Sequence, residues 1–235
     1  MSPPAEMPST EQHVLVVADG DVPARASLDA AWPGWADGVA TVIAADGGLA
    51  RARAVGLDPG LLVGDLDSLD PTLLADAEAA GLPIRRAPTA KDESDTELAL
   101  LEALAAGATR VTMLGAFGGT RLDHALANLW LLAHPAAARA ELVLLDERTR
   151  AFLVTARAAD GTPVPRPLPG RIGATVSLLP FGGEALGVTT HGLRYPLRDE
   201  PLVTGPARGL SNVRDTPDAA VSLRAGRLLV VETPS

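Results

Sequence analysis

Two aspartates two residues apart, Asp65 and Asp67, occupy the turn Gly64-Asp65-Leu66-Asp67-Ser68, directly after the apolar run Leu61-Leu62-Val63. Two more glycine-rich turns also follow apolar runs. They are Ala44-Ala45-Asp46-Gly47-Gly48 after Val39 to Ile43, and Gly115-Ala116-Phe117-Gly118-Gly119 after Val111 to Leu114. One such turn needs only a backbone explanation, because Gly and Asp suit turns anyway. Three of them predict a shared location, since in a parallel α/β sheet they lie together at the carboxyl edge, where open sheets bind ligands. If the strand continues through Asp65 and Asp67, both carboxylates point to one side. Together with Asp46 they repel one another unless a cation lies between them. An all-oxygen donor set selects a hard ion such as Mg2+. The chemistry implied is a metal-assisted reaction on a phosphorylated substrate.

Two further segments extend that set. Lys91-Asp92-Glu93-Ser94-Asp95-Thr96-Glu97 opens a helix-like stretch. Acidic residues there suit the helix dipole, but five charged side chains in seven exceed what a cap requires. Lys91 is placed to meet a phosphate and Asp95 to join the metal carboxylates. In the second segment Arg121, His124 and Asn128 are spaced i, i+3, i+7, while Leu122, Leu126 and Leu129 fall on another helical face. The polar set is therefore expected to face solvent or a ligand, and the leucines the core. Gly118 and Gly119 allow close backbone approach at a helix start, which favours an anion, and the planar guanidinium of Arg121 matches phosphate oxygens. The chain has no G-x-x-x-x-G-K-[ST] phosphate loop, no G-x-G-x-x-G dinucleotide loop and no G-x-S-x-G elbow.

These residues need strands and helices to hold them. Strands are expected at 13–18, 39–45, 61–63, 84–87, 111–114 and 141–145. Helices are expected at 24–36 (with Trp32 and Trp35 packing inward), 49–55, 71–80, 95–106 and 121–133. Ser94 and Glu97 form a capping-box pair with Gly107 beyond the end. Such alternation means right-handed β-α-β units and a largely parallel sheet. After about residue 150 helical periodicity disappears. A stretch carrying Pro163, Pro165, Pro167 and Pro169 with Gly161 and Gly170 leads into short β-like runs at 172–179, 185–190, 220–223 and 228–231. The predicted fold is an N-terminal Rossmann-like, three-layer α/β domain over 13–148 and a C-terminal all-β sandwich over 149–235, after a flexible tail at 1–12.

Composition bounds the function. A hydrophobic fraction of 47% with 21% charged residues is that of a soluble globular chain. The net charge of −9 argues against a nucleic-acid surface, which needs clustered Lys and Arg. No cysteine removes disulfides, zinc thiolates and thiol nucleophiles, and fits the cytoplasm. The first dozen residues lack the apolar stretch of a signal peptide. No apolar run approaches the roughly 20 residues that span a bilayer, so no membrane association is expected.

Taken in order, Asp46-Gly47-Gly48, Gly64-Asp65-Leu66-Asp67-Ser68, Asp92-x-Ser94-Asp95 and Gly118-Gly119-x-Arg121-x-Asp123-His124 resemble the motifs of thiamine pyrophosphokinases. Gly192-Leu193-Arg194-Tyr195-Pro196-Leu197 and the pair Ser211-Asn212 resemble that family's C-terminal thiamine-binding module. The resemblance runs from His13 to Val231. It implies transfer of a diphosphate from ATP to the hydroxyethyl group of thiamine with release of AMP, in a homodimer with sites at the subunit interface. It implies Mg2+ on Asp46, Asp65, Asp67 and Asp95. It also implies ATP and diphosphate contacts from Lys91, Asp92, Ser94, Arg121, Asp123 and His124, with thiamine contacts from Ser211 and Asn212. Asn128 joins the ATP-binding set through the face it shares with Arg121 and His124. The catalytic group would be Asp65, Asp67, Asp95, Arg121 and Asp123. Two departures stand out: serine replaces the usual threonine at Ser94, and Leu210 and Val213 flank the Ser-Asn pair where some members carry a stacking aromatic. A pyrophosphokinase for another small alcohol, such as a hydroxymethyl pterin, and a non-catalytic thiamine- or nucleotide-binding protein are the alternatives.

Overall fold

A computed structural model describes residues 11–156 and 162–235; most of the expected tail, and Gly161, lie outside them. The first half runs β1 (His13–Val17), α1 (Arg25–Ala31), β2 (Val39–Ala45), α2 (Gly48–Ala54), β3 (Leu61–Gly64) and α3 (Pro71–Ala79). It continues with β4 (Ile84–Arg86), α4 (Asp95–Ala105), β5 (Arg110–Leu114), α5 (Leu122–Leu131) and β6 (Glu141–Leu145). Strands follow: β7 (Arg150–Thr155), β8 (Arg166–Pro167), β9 (Thr175–Pro180), β10 (Ala185–His191), β11 (Glu200–Leu202), β12 (Asn212–Val213), β13 (Ala220–Ser222) and β14 (Arg227–Thr233).

The large sheet has ten strands in the order β12-β9-β14-β7-β6-β5-β1-β2-β3-β4. From β6 to β4 every pairing is parallel; from β6 outward to β12 every pairing is antiparallel. A second, antiparallel sheet of four strands, β11-β10-β13-β8, belongs to the C-terminal half. The fold is thus mixed α/β, with a mostly parallel region and a packed β module. The boundary expected at 148/149 falls in the turn joining β6 to β7, which pair through Leu144 with Ala151 and Leu145 with Arg150.

All five residues of β1 are buried, as a central parallel strand covered on both faces must be. Leu15 and Val17 pack toward Leu28 and Trp35 and are continuous with Val188, Leu193 and Val221 of the β module. Val14 and Val16 face the other way, toward Leu100 and Ala103 of α4 and Leu131 of α5. Strand periodicity therefore builds two cores from one strand.

Several elements depart from the sequence expectation, and the short strands β8, β11 and β12 have no counterpart in it. The helix at 24–36 ends at Ala31, where Trp32 leaves helical geometry (φ −134°, ψ 70°); Pro33 disfavours the helical region for the residue before it. The segment Arg150–Thr155 forms β7, a strand absent from the sequence reading. On α5 Arg121 and His124 are exposed as expected, but of the three leucines only Leu129 packs against the core. Leu122 and Leu126 are 74% and 40% exposed, Trp130 is 59% exposed, and Asn128 is buried. The buried side of that helix carries Leu131, and Asn128 Nδ2 donates to the Ala116 carbonyl at 3.1 Å.

Candidate active site

The carboxyl ends of β1, β2, β3 and β5 and the starts of α4 and α5 surround one cavity of about 490 Å3. Asp46, Asp65, Asp67, Lys91, Ser94, Asp95, Arg121, His124 and Asn128 all line it. Asp92 and Asp123 do not.

The acidic cluster is local chemistry first. β3 stops at Gly64, so Asp65 and Asp67 do not share a strand face. Between them Leu66 takes a left-handed conformation (φ 65°) and buries its side chain beside Leu49, Leu62 and Leu69. A leucine there costs about 1–3 kcal/mol of strain, held by that burial, and the aspartates flank the anchor. Asp46 is also left-handed (φ 48°). Gly64 lets the turns approach: a Cβ at that position would lie 3.2 Å from Asp46 Cβ and 3.2 Å from Asp95 Cγ. As a result Asp46, Asp65 and Asp67 each present an oxygen within 4.8 Å of the others.

Lys91, the chain's single lysine, bridges this cluster. Its Nζ lies 3.2 Å from Asp65 Oδ2 and 3.1 Å from Asp95 Oδ1. Burial alone would lower the Lys91 pKa, but hydrogen bonds to Asp95 and Asp65 carry it above the ordinary value. For Asp65, the raising effect of burial is outweighed by Lys91 and by the Asp67 backbone N–H, so its carboxyl lies below the usual range. Asp46 goes the opposite way. Burial pushes it up, a Ser68 hydrogen bond opposes the rise, and the charges of Asp95, Asp67 and Asp65 add to it. Asp46 Oδ1 is buried with no hydrogen-bond partner among the described residues. A buried carboxylate oxygen without a donor is costly, and it points into a cluster of like charges. The donor set therefore fits a hard divalent cation.

Opposite the carboxylates lies the glycine turn before α5. Gly119 N donates to Asp21 Oδ2 at 3.0 Å, and a Cβ at Gly118 (φ 76°) would meet that carboxylate at 2.2 Å. Arg121 stands at the N-cap of α5 and closes on Asp123, with Nε to Oδ1 at 3.1 Å and Nη2 to Oδ2 at 2.5 Å. The Arg121 hydrogen bond is the main reason the Asp123 carboxyl drops to about 2. Asp123 thus orients the guanidinium from outside the cavity. Ser94 Oγ accepts from Glu97 N at 3.1 Å and caps α4; Glu97 Oε1 lies 3.4 Å from His134 Nε2.

Ser211 and Asn212 lie elsewhere, at the start of β12, the outermost strand of the ten-stranded sheet. Asn212 is buried: its Oδ1 accepts from Tyr195 N (3.0 Å) and Val213 N (2.9 Å), and its Nδ2 donates to Tyr195 O (2.7 Å). Its amide holds the Tyr195 segment in place. Tyr195, the chain's single tyrosine, is 56% exposed. It supplies an aromatic surface beside the Ser-Asn pair that the flanking Leu210 and Val213 do not.

The sequence reading overlooked Asp19 and Asp21. The turn Ala18-Asp19-Gly20-Asp21 follows the apolar run 13–18 and repeats the pattern of the other three turns. Asp19 lines the cavity and lies 3.3 Å from Arg51 Nε.

Comparison with known proteins agrees with this geometry. The thiamin pyrophosphokinase catalytic domain model matches residues 35–144, and the thiamin pyrophosphokinase vitamin B1 binding domain model matches residues 166–228. The crystal structure of Bacillus subtilis thiamine pyrophosphokinase superposes with a TM-score of 0.81 at 24% identity, covering 95% of this chain and 100% of that one. A thiamin pyrophosphokinase family protein from Enterococcus faecalis gives 0.73 at 25% identity, covering 96% and 100%. Yeast thiamin pyrophosphokinase gives 0.73 at 17% identity, covering 96% and 87%. No curated protein matches the sequence significantly.

Proposed function

Because the chain belongs to the thiamin pyrophosphokinase family and is a thiamine diphosphokinase, we propose that the acidic cavity is where ATP gives up its diphosphate. The observation that carries this reading is the convergence of Asp46, Asp65 and Asp67 around a buried, unpartnered carboxylate oxygen. Asp46, Asp65 and Asp67 would hold Mg2+, with Asp95 beside them through Lys91. When bound, the ion supplies charge neutralisation for the diphosphate.

The chain's own groups align the reactants. Lys91 offers an ammonium to the phosphate oxygens while held by Asp65 and Asp95. Arg121, oriented by Asp123, presents its guanidinium at the mouth beside His124. The backbone N–H groups of the 118–119 turn face the same space, and Asp21 holds the turn open until an anion takes its place. Ser94 keeps the start of α4 in register through its cap, and Asn128 fixes the 115–119 loop through Ala116. Asp92 remains as an exposed group at the rim. The thiamine hydroxyl attacks the β-phosphorus in line, the bond from that phosphorus to the oxygen bridging to the α-phosphate breaks, AMP leaves with that oxygen, and the hydroxyl proton is released late to a nearby carboxylate or to solvent.

Thiamine contacts fall to the Ser211–Asn212 region, with the Tyr195 ring as a stacking surface. The sheet order separates β12 from β2 by seven strand steps. At about 4.8 Å a step this is on the order of 30 Å. That distance supports a homodimer in which one protomer's thiamine half meets its partner's diphosphate half. The exposed Leu122, Leu126 and Trp130 offer apolar surface for the second copy. A cytoplasmic location is in keeping with the absence of cysteine. Among the described residues no helix is long and apolar enough to cross a membrane.

A phosphorus NMR time course with ATP, Mg2+ and thiamine tests this reading. AMP and thiamine diphosphate should appear together, and only with both thiamine and metal present. ADP with inorganic phosphate would overturn diphosphate transfer. Turnover with a hydroxymethyl pterin in place of thiamine would reassign the acceptor.

A further inference from the structure

A second cavity, also about 490 Å3, shares no lining residue with the first. Its floor is one face of β5, β6 and β7. Alternation puts Arg110 and Thr112, Val143 and Leu145, and Arg150 and Phe152 on that face. The Trp32–Trp35 segment forms one wall, and the segment from Arg166 to Ala174 forms another.

Its charge is the reverse of the molecule's. Five lining arginines, Arg110, Arg150, Arg166, Arg171 and Arg214, face two lining carboxylates, Glu141 and Glu232. Five minus two leaves three positive charges, in a chain of net charge −9. The pairings show where the surplus lies. Arg214 and Glu232 are each 1% exposed and 2.6 Å apart. Arg150 uses the same Glu232, so one carboxylate serves two guanidiniums. Arg166 takes Glu141. Among the described residues Arg110 has only the exposed Glu11 as a carboxylate partner, at 3.9 Å. Arg171 donates to the Ala30 carbonyl and has no carboxylate partner among the described residues. The surplus therefore falls on Arg110, whose side chain is 33% exposed, and on the exposed Arg171, where it can attract an anion.

The cavity walls are also flat. Trp32, Trp35 and Phe152 line the cavity, three of the seven aromatic residues in the chain (three Trp, one Tyr, three Phe). Arg150 Cζ stacks 5.0 Å from the Trp32 ring centre and 5.9 Å from that of Phe152. The volume suits a small-molecule ligand. We propose that this cavity is a second ligand site, for a small phosphate ester carrying a planar ring. The phosphate meets Arg110 and Arg171, and the ring lies against the Trp32 wall. Because β5 to β7 and the loop after β8 both contribute, an occupant ties the β module to the parallel half.

Trp130 is the only tryptophan outside this cavity, so a Trp130→Phe protein reports on Trp32 and Trp35 alone. Titrating it with AMP, a planar ring with one phosphate, should change the emission saturably. Inorganic phosphate and adenosine, tested separately, should each bind more weakly. Arg110→Gln combined with Arg171→Gln should weaken the AMP-dependent change at least tenfold, with circular dichroism melts confirming an intact fold. Arg121→Gln, at the other cavity, should leave it unchanged. No saturable change, or a change abolished by Arg121→Gln and kept in the double variant, would overturn the site. Equal binding of AMP and inorganic phosphate would overturn the ring half of the proposal.

Discussion

At the ends of β2 and β3 and the start of α4, four aspartates face one lysine; beneath the β module, the buried Glu232 faces two arginines. Both regions carry surplus charge, but they treat it differently. Each nitrogen of Arg214 finds an acceptor: its Nε donates to Leu168 O, its Nη1 to Arg171 O and its Nη2 to Glu232. Asp46 keeps one buried oxygen with no hydrogen-bond partner among the described residues. A buried charge with each of its nitrogens partnered organises the chain. One left without a partner at a cavity wall implies something still to bind. The same residue types thus mark architecture in one place and chemistry in the other.

The sharpest way to break this contrast is to exchange the effects of the two regions. Glu232→Gln should lower folding stability by about 3–5 kcal/mol, because Arg214 would be left as an uncompensated buried charge. Urea unfolding would measure it, and the metal requirement of the reaction should survive. Asp65→Asn should do the opposite: turnover falls about 100-fold or more, while the melting temperature barely moves. Near-wild-type turnover in that variant would remove Asp65 from the metal set.

Smaller effects sharpen the boundary between the regions. Mg2+ at 100 times its Kd should stabilise the wild-type chain by about 2.7 kcal/mol, read as a rise in melting temperature. Chelation should reverse it, and Asp65→Asn should show little of it. The least effect belongs to an ordinary cap. Asp70 accepts from Thr72 N at 2.8 Å and Leu73 N at 3.3 Å, and the Thr72 bond, foremost, holds its carboxyl below the ordinary 3.8. That contribution is complete above pH 3.8 and fades as pH falls through the lowered native value. Asp70→Asn should keep the cap and flatten that part of the acid unfolding curve.

The strand-end turns were legible because apolar runs of strand length leave their next residues at a common edge; Asp46, Asp65 and Asp67 follow from that alone. Lys91 and Asp95 were legible because five charged side chains within seven residues exceed what a helix start needs. The orientation of α5 was not. Helical period separates Leu122 and Leu126 from Asn128 but does not say which side meets the sheet, and here a buried amide bonded to a loop takes the inner place. β7 was hidden because Arg150 to Thr155 lies where helical periodicity stops, with no alternation to mark its partner. The role of Asn212 depends on Tyr195, 17 residues earlier, a pairing no local pattern reveals. Asp19 and Asp21 were readable in principle, since their turn repeats the pattern of the others.

The position of β14 has a consequence for how the chain assembles during synthesis. This strand pairs with β7 on one side and β9 on the other, through six residue pairs on each. It is an interior strand made after every other. Until residues 227–233 have left the ribosome, β7 and β9 each keep an apolar edge open, the kind of edge that recruits foreign strands. The parallel half, complete by residue 145, can form early and offer β6 as a template for β7. The β module must wait for its last strand, and that interval is when the newborn chain is most exposed to aggregation.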